Sequence, residues 1–135
     1  HEHKVAHMDL KPQNIIIPPE GGRLSIIDFS SSVRIAKPNR KFRGVVGTEK
    51  YIAPEVYDGA YNPIQADLWS CGRTLQELCS HCPESQDRAC LLEIADKLMK
   101  QVPDERPMMA TVLEWMSLPP SFATASIRPF EANPT

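Results

Sequence analysis

The sequence predicts an α+β fold that is mostly α, with a short β-hairpin leading into a helical body. Three observations carry that expectation. A β-branched run, Ile15 to Ile17, precedes the turn residues Pro18, Pro19, Glu20, Gly21 and Gly22 and a returning strand from Leu24 to Ile27. Residues 63–79 then carry apolar side chains at helical spacing. Two shorter stretches downstream repeat that spacing.

The elements follow in order. Residues 15–29 read as the hairpin. Residues 30–50 carry Ser, Arg, Lys, Pro and Gly with little periodicity, a long connection of the kind that often carries function. In the strongest helix, Ile64, Leu68, Cys71, Gly72, Leu75, Leu78 and Cys79 share one face. Asn62 caps its start and Pro63 takes the first helical position. A second helix fits about 86–100, with Leu91, Ile94, Ala95 and Leu98 on one face. A third begins near Pro107, with Met109, Val112, Leu113 and Met116 inward. After Leu118 the residues turn to Pro, Ser, Ala and Thr, which predicts a flexible tail over 118–135.

Composition narrows the function. With 15 Lys plus Arg against 17 Asp plus Glu, the chain lacks the basic excess expected of a nucleic-acid binder. No apolar run approaches the ~20 residues of a membrane span, so no membrane partner is expected. The first residue is His1, and we expect the chain to begin inside a longer reading frame. The opening segment has no apolar core of a secretory signal. The four cysteines (Cys71, Cys79, Cys82, Cys90) are too few and too uneven for a disulfide scaffold, which predicts reduced thiols in the cytoplasm or nucleus.

The chemistry-bearing stretch is His7-Met8-Asp9-Leu10-Lys11-Pro12-Gln13-Asn14. Asp28-Phe29-Ser30 follows a predicted strand, then come Gly47-Thr48 and Tyr51-Ile52-Ala53-Pro54-Glu55. Asp67-Leu68-Trp69-Ser70-Cys71-Gly72 lies on the strong helix, and Arg106-Pro107 opens the last one. Motifs in this order and local context resemble the C-terminal lobe of a eukaryotic protein kinase of the serine/threonine type. The likeness covers about residues 4–117. It implies a protein-kinase-like C-lobe fragment, a partial kinase domain over 1–117 without the N-lobe.

Phosphoryl transfer is mostly positioning plus charge neutralisation. By this resemblance Asp9 orients the attacking hydroxyl and Lys11 stabilises the transferred phosphoryl group. Asn14 and Asp28 hold Mg²⁺, a hard cation suited to oxygen ligands, and with Lys11 contact ATP. Thr48 bridges the catalytic Asp and Lys beside the substrate pocket, which Val45, Val46 and Gly47 line. Lys11-Pro12 and Thr48 imply a protein substrate phosphorylated on Ser or Thr. Structural roles fall to Asp67, which accepts backbone N–H bonds from the catalytic loop, and to Glu55 and Arg106, an ion pair fastening the segment between them. His7 and Phe29 match an apolar stack linking the lobes. The enzymatic expectation requires the carboxyls of Asp9 and Asp28 to converge on one divalent ion.

Several features depart from the family pattern. Met8 stands where Arg is usual, and Met cannot pair with a phosphate on the loop. Ser30 replaces a Gly, which restricts backbone freedom. The connection from Ser80 to Ser85 is short. A Gly-rich loop, a strand lysine with its glutamate partner and a hinge do not occur in the 135 residues. We therefore expect phosphotransfer in an intact parent and inactivity of this chain alone. The alternatives are a pseudokinase-like interaction module and a truncated gene fragment.

Blander readings apply elsewhere. Cys79-Ser80-His81-Cys82 lacks a second ligand pair for zinc, and His1, His3 and His7 make only a weak metal cluster. Ser30, Ser31, Ser32 and Thr48 are candidate phosphosites. Arg34, Lys37, Arg40, Lys41 and Arg43 read as a solvated loop or as a surface steering acidic partners.

Overall fold

The computed structural model describes residues 1–117; the tail expected over 118–135 lies outside the described residues. The fold is rich in helix and poor in strand, as predicted. The strands are β1 (Val5–Ala6), β2 (Ile15–Ile16), β3 (Ser25–Ile26) and β4 (Val33–Arg34). β2 and β3 form the predicted hairpin, with Ile15 opposite Ile26 and Ile16 opposite Ser25. β1 and β4 pair separately, Val5 opposite Arg34 and Ala6 opposite Val33. That second pair was not foreseen, and it ties the segment after the hairpin back to the residues before His7.

The helices are α1 (Pro63–Cys79), α2 (Gln86–Leu98) and α3 (Met109–Ser117). α1 has the bounds that the sequence predicts. Asn62 Oδ1 accepts from the N–H groups of Ile64 at 2.9 Å and Gln65 at 3.3 Å, satisfying donors that have no partner within the helix. Ser85 caps α2 by accepting from Arg88 N–H at 3.1 Å. α2 stops two residues early, where Met99 leaves helical geometry.

α1 packs on α2 at Gly72. A Cβ there would lie 2.7 Å from Met99 Cγ and 2.9 Å from the Ala95 carbonyl oxygen, so only glycine admits this approach. Leu68, Ile94, Leu98 and Val112 form the core between the helices, flanked by Leu75, Met109 and Trp115. α3 therefore rests on the stripe Met109, Val112 and Trp115. Leu113 and Met116, expected inward, stand on the next face and are 64% and 56% exposed. The expectation fails there because α3 meets the core of α1 and α2 along one narrow apolar stripe.

A second core joins Ala6, Met8, Ile35, Ile52, Ala53, Val56, Tyr61 and Ala66. Beside it Ser70 Oγ donates to the Tyr51 carbonyl at 2.6 Å and Thr74 Oγ1 to the Ser70 carbonyl at 2.9 Å, while the buried Trp69 Nε1 has no hydrogen-bond partner. The hairpin is different. Ile16, Ile17, Leu24, Ile26, Ile27 and Phe29 are all exposed large apolar residues. The four cysteines are free thiols. Among the described residues no helix is long and apolar enough to cross a membrane.

Candidate functional site

The loop from His7 to Asn14 is held from below by Asp67, 1% exposed at the start of α1. Its Oδ2 accepts from His7 N–H at 2.6 Å and its Oδ1 from Met8 N–H at 2.8 Å. His1 Nε2 also lies 3.0 Å from Oδ2. Burial pushes the Asp67 carboxyl up to about 6, against the opposing pull of the Met8 and His7 N–H bonds. These two donors are anchored just where the backbone turns sharply, for Met8 has φ 70. A methionine in the left-handed region is uncommon. Its side chain, 6% exposed, sits in the apolar core.

His7 faces the hairpin. Its Nδ1 accepts from Asp9 N–H at 3.1 Å, so the proton belongs on Nε2, which donates to the Ile27 carbonyl at 2.8 Å. The ring meets Phe29 edge-on, with centroids 4.8 Å apart. One side chain thus links the loop to the end of the hairpin, beside Asp28.

Thr48 closes the site from the long connection. Its Oγ1 accepts from Lys11 Nζ at 2.7 Å and donates to Asp9 Oδ1 at 2.8 Å. Lys11 Nζ lies 3.9 Å from Asp9 Oδ2. On the other side, Asn14 Nδ2 donates to the Asp9 carbonyl at 2.8 Å and reaches Asp9 Oδ2 at 3.5 Å. Both bonds use the amide nitrogen of Asn14, and its Oδ1 takes no part in them. Asn14 is positioned by a 3-10 turn over Pro12–Asn14, after which the Ile27 N–H bonds its carbonyl at 2.9 Å. Gly47 lets Thr48 come this close: at φ +112, a Cβ on it would lie 2.8 Å from the Met8 carbonyl oxygen.

Asp28 is exposed, with φ 59. The backbone freedom expected at position 30 is used at position 28 instead, where Asp tolerates it. Ser30 is not among the residues at positive φ. Its hydroxyl donates to Asp28 Oδ1 at 2.6 Å and its N–H to the same oxygen at 3.3 Å. Those bonds, then the nearby His7 and Lys11, hold the Asp28 carboxyl below its ordinary value. We expect Ser30→Ala to move the Asp28 titration upward, followed by carboxyl ¹³C chemical shifts against pH. An unmoved titration would show that the hydroxyl has no hold on this carboxylate.

Away from this centre, Arg106 grips Glu55 through two nitrogens, at 2.6 and 2.9 Å. It also donates to the carbonyls of Lys100 and Gln65. Among the described residues no group of three or more His, Cys, Asp or Glu side chains is placed to hold a metal. Asn14 and Asp28 carry one amide and one carboxylate oxygen donor group, of the hard kind that divalent cations take.

A model of the protein kinase domain matches residues 1–121. The chain belongs to the protein kinase family. Among the proteins to which this kinase chain is similar are serine/threonine-protein kinase 17A of Oryctolagus cuniculus, 45% identical over 76 residues, and calcium-dependent protein kinase 4 of Plasmodium berghei, 40% identical over 86. The first alignment covers 53% of this chain and 18% of that protein, the second 62% and 16%. Calcium-dependent protein kinase 22 of Arabidopsis thaliana is 43% identical over 88 residues, 64% of this chain and 17% of its own length. The chain thus spans less than a fifth of these relatives.

Sequence reasoning missed two contacts here. At Ser30 the expectation concerns the backbone alone, while its place two residues after Asp28 is a side-chain signal of its own, since Asp commonly bonds the backbone two residues on. His1 groups in the sequence with His3 and His7 as a weak metal cluster, and nothing in its spacing points to Asp67.

Proposed function

We propose that this chain is the C-terminal, catalytic-loop-bearing lobe of a serine/threonine protein kinase, occupying residues 1–117. The observation that carries the reading is Thr48 Oγ1, which joins Lys11 and Asp9 across 37 and 39 positions of sequence. A bland solvated loop gives no reason for a hydroxyl, an ammonium and a carboxylate to meet at one atom.

In this reading Asp9 orients the hydroxyl of a protein Ser or Thr and accepts its proton as the phosphoryl group moves. Thr48 and Asn14 fix the Asp9 carboxylate from opposite sides, so it approaches the substrate in one rotamer. Lys11 faces the phosphoryl oxygens as charge develops. Asn14 and Asp28 are the residues that would hold Mg²⁺, and ATP with that ion supplies the phosphoryl group and neutralises its charge. Ser30 favours the ionised form of Asp28 through its two hydrogen bonds to Oδ1. A preceding lobe would complete the nucleotide site and cover the exposed apolar residues of the hairpin, an arrangement favoured by the exposure of Ile16, Ile17, Leu24 and Phe29. The free thiols fit a cytoplasmic or nuclear protein.

The test is phosphotransfer to a Ser/Thr peptide by a protein carrying this chain behind an ATP-clamping lobe. Asp9→Asn should lower kcat by about 10²–10⁴-fold with little change in thermal midpoint. A variant as active as the unmodified protein would remove Asp9 from the mechanism and favour the interaction-module reading.

A further inference from the structure

The long connection carries five cations, Arg34, Lys37, Arg40, Lys41 and Arg43, and no Asp or Glu from Phe29 to Thr48. All five are exposed. Among the described residues none of them forms an ion pair, whereas Lys11, Lys50 and Arg106 all do. The chain as a whole has net charge −2, so this positive patch stands against the general balance. Like charges crowded on one short segment repel one another, and an anionic partner would relieve that cost.

The segment is also held in place. Phe42 and Tyr61 exchange backbone hydrogen bonds at 2.8 and 2.9 Å. Tyr61 Oη donates to the Gly44 carbonyl at 2.9 Å, and Arg40 stacks over the Phe42 ring at 5.0 Å. At the other end, Thr48 is fastened to Asp9 and Lys11. Phe42 and Thr48 are six positions apart, a span of at most about 20 Å, which an extended peptide of about six residues matches. Val45 and Val46 lie between, 57% and 37% exposed. Lys37, Asn39 and Arg40 border an open hollow of about 480 Å³ with no acidic side chain in its lining.

We infer that residues 34–43 form a docking surface for an acidic segment of the protein substrate, its carboxylates beside Lys37, Lys41 and Arg43, next to the pocket that the family resemblance assigns to Val45 and Val46. This rests on the phosphotransfer reading for the word substrate, and on the charge geometry alone for the surface. The acidic peptide is preferred to a nucleic acid because the cations adjoin an apolar pair next to Asp9 and the rest of the chain supplies no basic surplus. The attraction is between solvated charges and so fades beyond a Debye length of about 8–10 Å.

Fluorescence anisotropy tests it with the whole 135-residue chain. The probes are labelled peptides of about ten residues containing one Ser, rich in Glu, in Gln or in Lys, and a labelled single-stranded oligonucleotide. The Glu peptide should bind at least about tenfold tighter than the Gln peptide at about 0.05 M salt and lose that advantage by about 0.3 M. The triple variant Lys37→Glu, Lys41→Glu, Arg43→Glu should abolish the preference, and the Gln triple variant should leave a reduced one; Arg40 is kept for its packing on Phe42. Equal binding of the Glu and Gln peptides, preference for the Lys peptide, tighter binding of the oligonucleotide, or indifference to charge reversal would each overturn the inference. Acidic-peptide binding retained in Asp9→Asn supports the surface independently of phosphotransfer, so the two readings fail separately.

Discussion

Arg106→Met should unfold at a lower urea midpoint, with a stability loss of about 3–5 kcal/mol and an unchanged m-value. The Arg106 side chain is 0% exposed and its partner Glu55 15%. Methionine fills much of the same volume, so the loss comes from charge and hydrogen bonding and not from a cavity. Truncation leaves the Glu55 carboxylate facing a space that held two guanidinium nitrogens, and it strips donors from the carbonyls of Lys100 and Gln65. Three segments then come apart together: the 3-10 turn of Glu55, the first turn of α1 and the loop after α2.

The reverse variant separates the contributions. Glu55→Gln keeps an oxygen for one guanidinium bond and leaves Arg106 its two carbonyl partners, so a smaller loss is expected there. In the double variant Arg106→Met, Glu55→Gln the losses should fall short of additivity, because the second change removes the charge stranded by the first. Additive losses, or an Arg106→Met loss under about 1 kcal/mol, would mean that the pair is only a surface contact.

The residues that made this architecture legible share one property: their signal is local. Asn62, Pro63 and the apolar spacing of α1 lie within one element, and its bounds followed from them. The hairpin was legible from its turn. β1 and β4 were not, because two-residue strands carry no alternation and their pairing joins positions nearly thirty residues apart. The inward face of α3 was misplaced at Leu113 and Met116 because its spacing admits two neighbouring stripes and only the packing partner selects one. The same division holds in the site. Asp9, Lys11 and Asn14 stand within six residues and could be picked out together. The meeting with Thr48 was available only through family resemblance. The Ser30 hydrogen bond and the burial of Met8 emerged only with the backbone turns at positions 8 and 28.

Asp67→Ala should cost about 2–5 kcal/mol near pH 4, and that cost should shrink as pH rises toward 7. The first part follows from two buried donors. His7 and Met8 are 4% and 6% exposed, and without the carboxyl their N–H groups lose acceptors at 2.6 and 2.8 Å. The second part follows from the direction of the titration. The Asp67 carboxyl, about 3.8 in the unfolded chain, is pushed by burial up to about 6 in the fold. Between those values the folded state holds more protons than the unfolded one, so the wild type loses stability as pH rises through the window. That loss is on the order of 3 kcal/mol from pH 4 to 7, and the Ala variant does not share it. Urea denaturation of both proteins at several pH values gives the difference directly; a gap that widens with pH would reverse the assignment and mean that the N–H bonds outweigh burial. A carboxylate that loses stability by ionising, yet fixes the backbone on which His7, Met8 and Asp9 stand, is retained for position. In a protein competent for phosphotransfer, Asp67→Ala should therefore lower kcat at temperatures well below its own melting point, by loosening the Asp9 carboxylate from the geometry that Thr48 and Asn14 define.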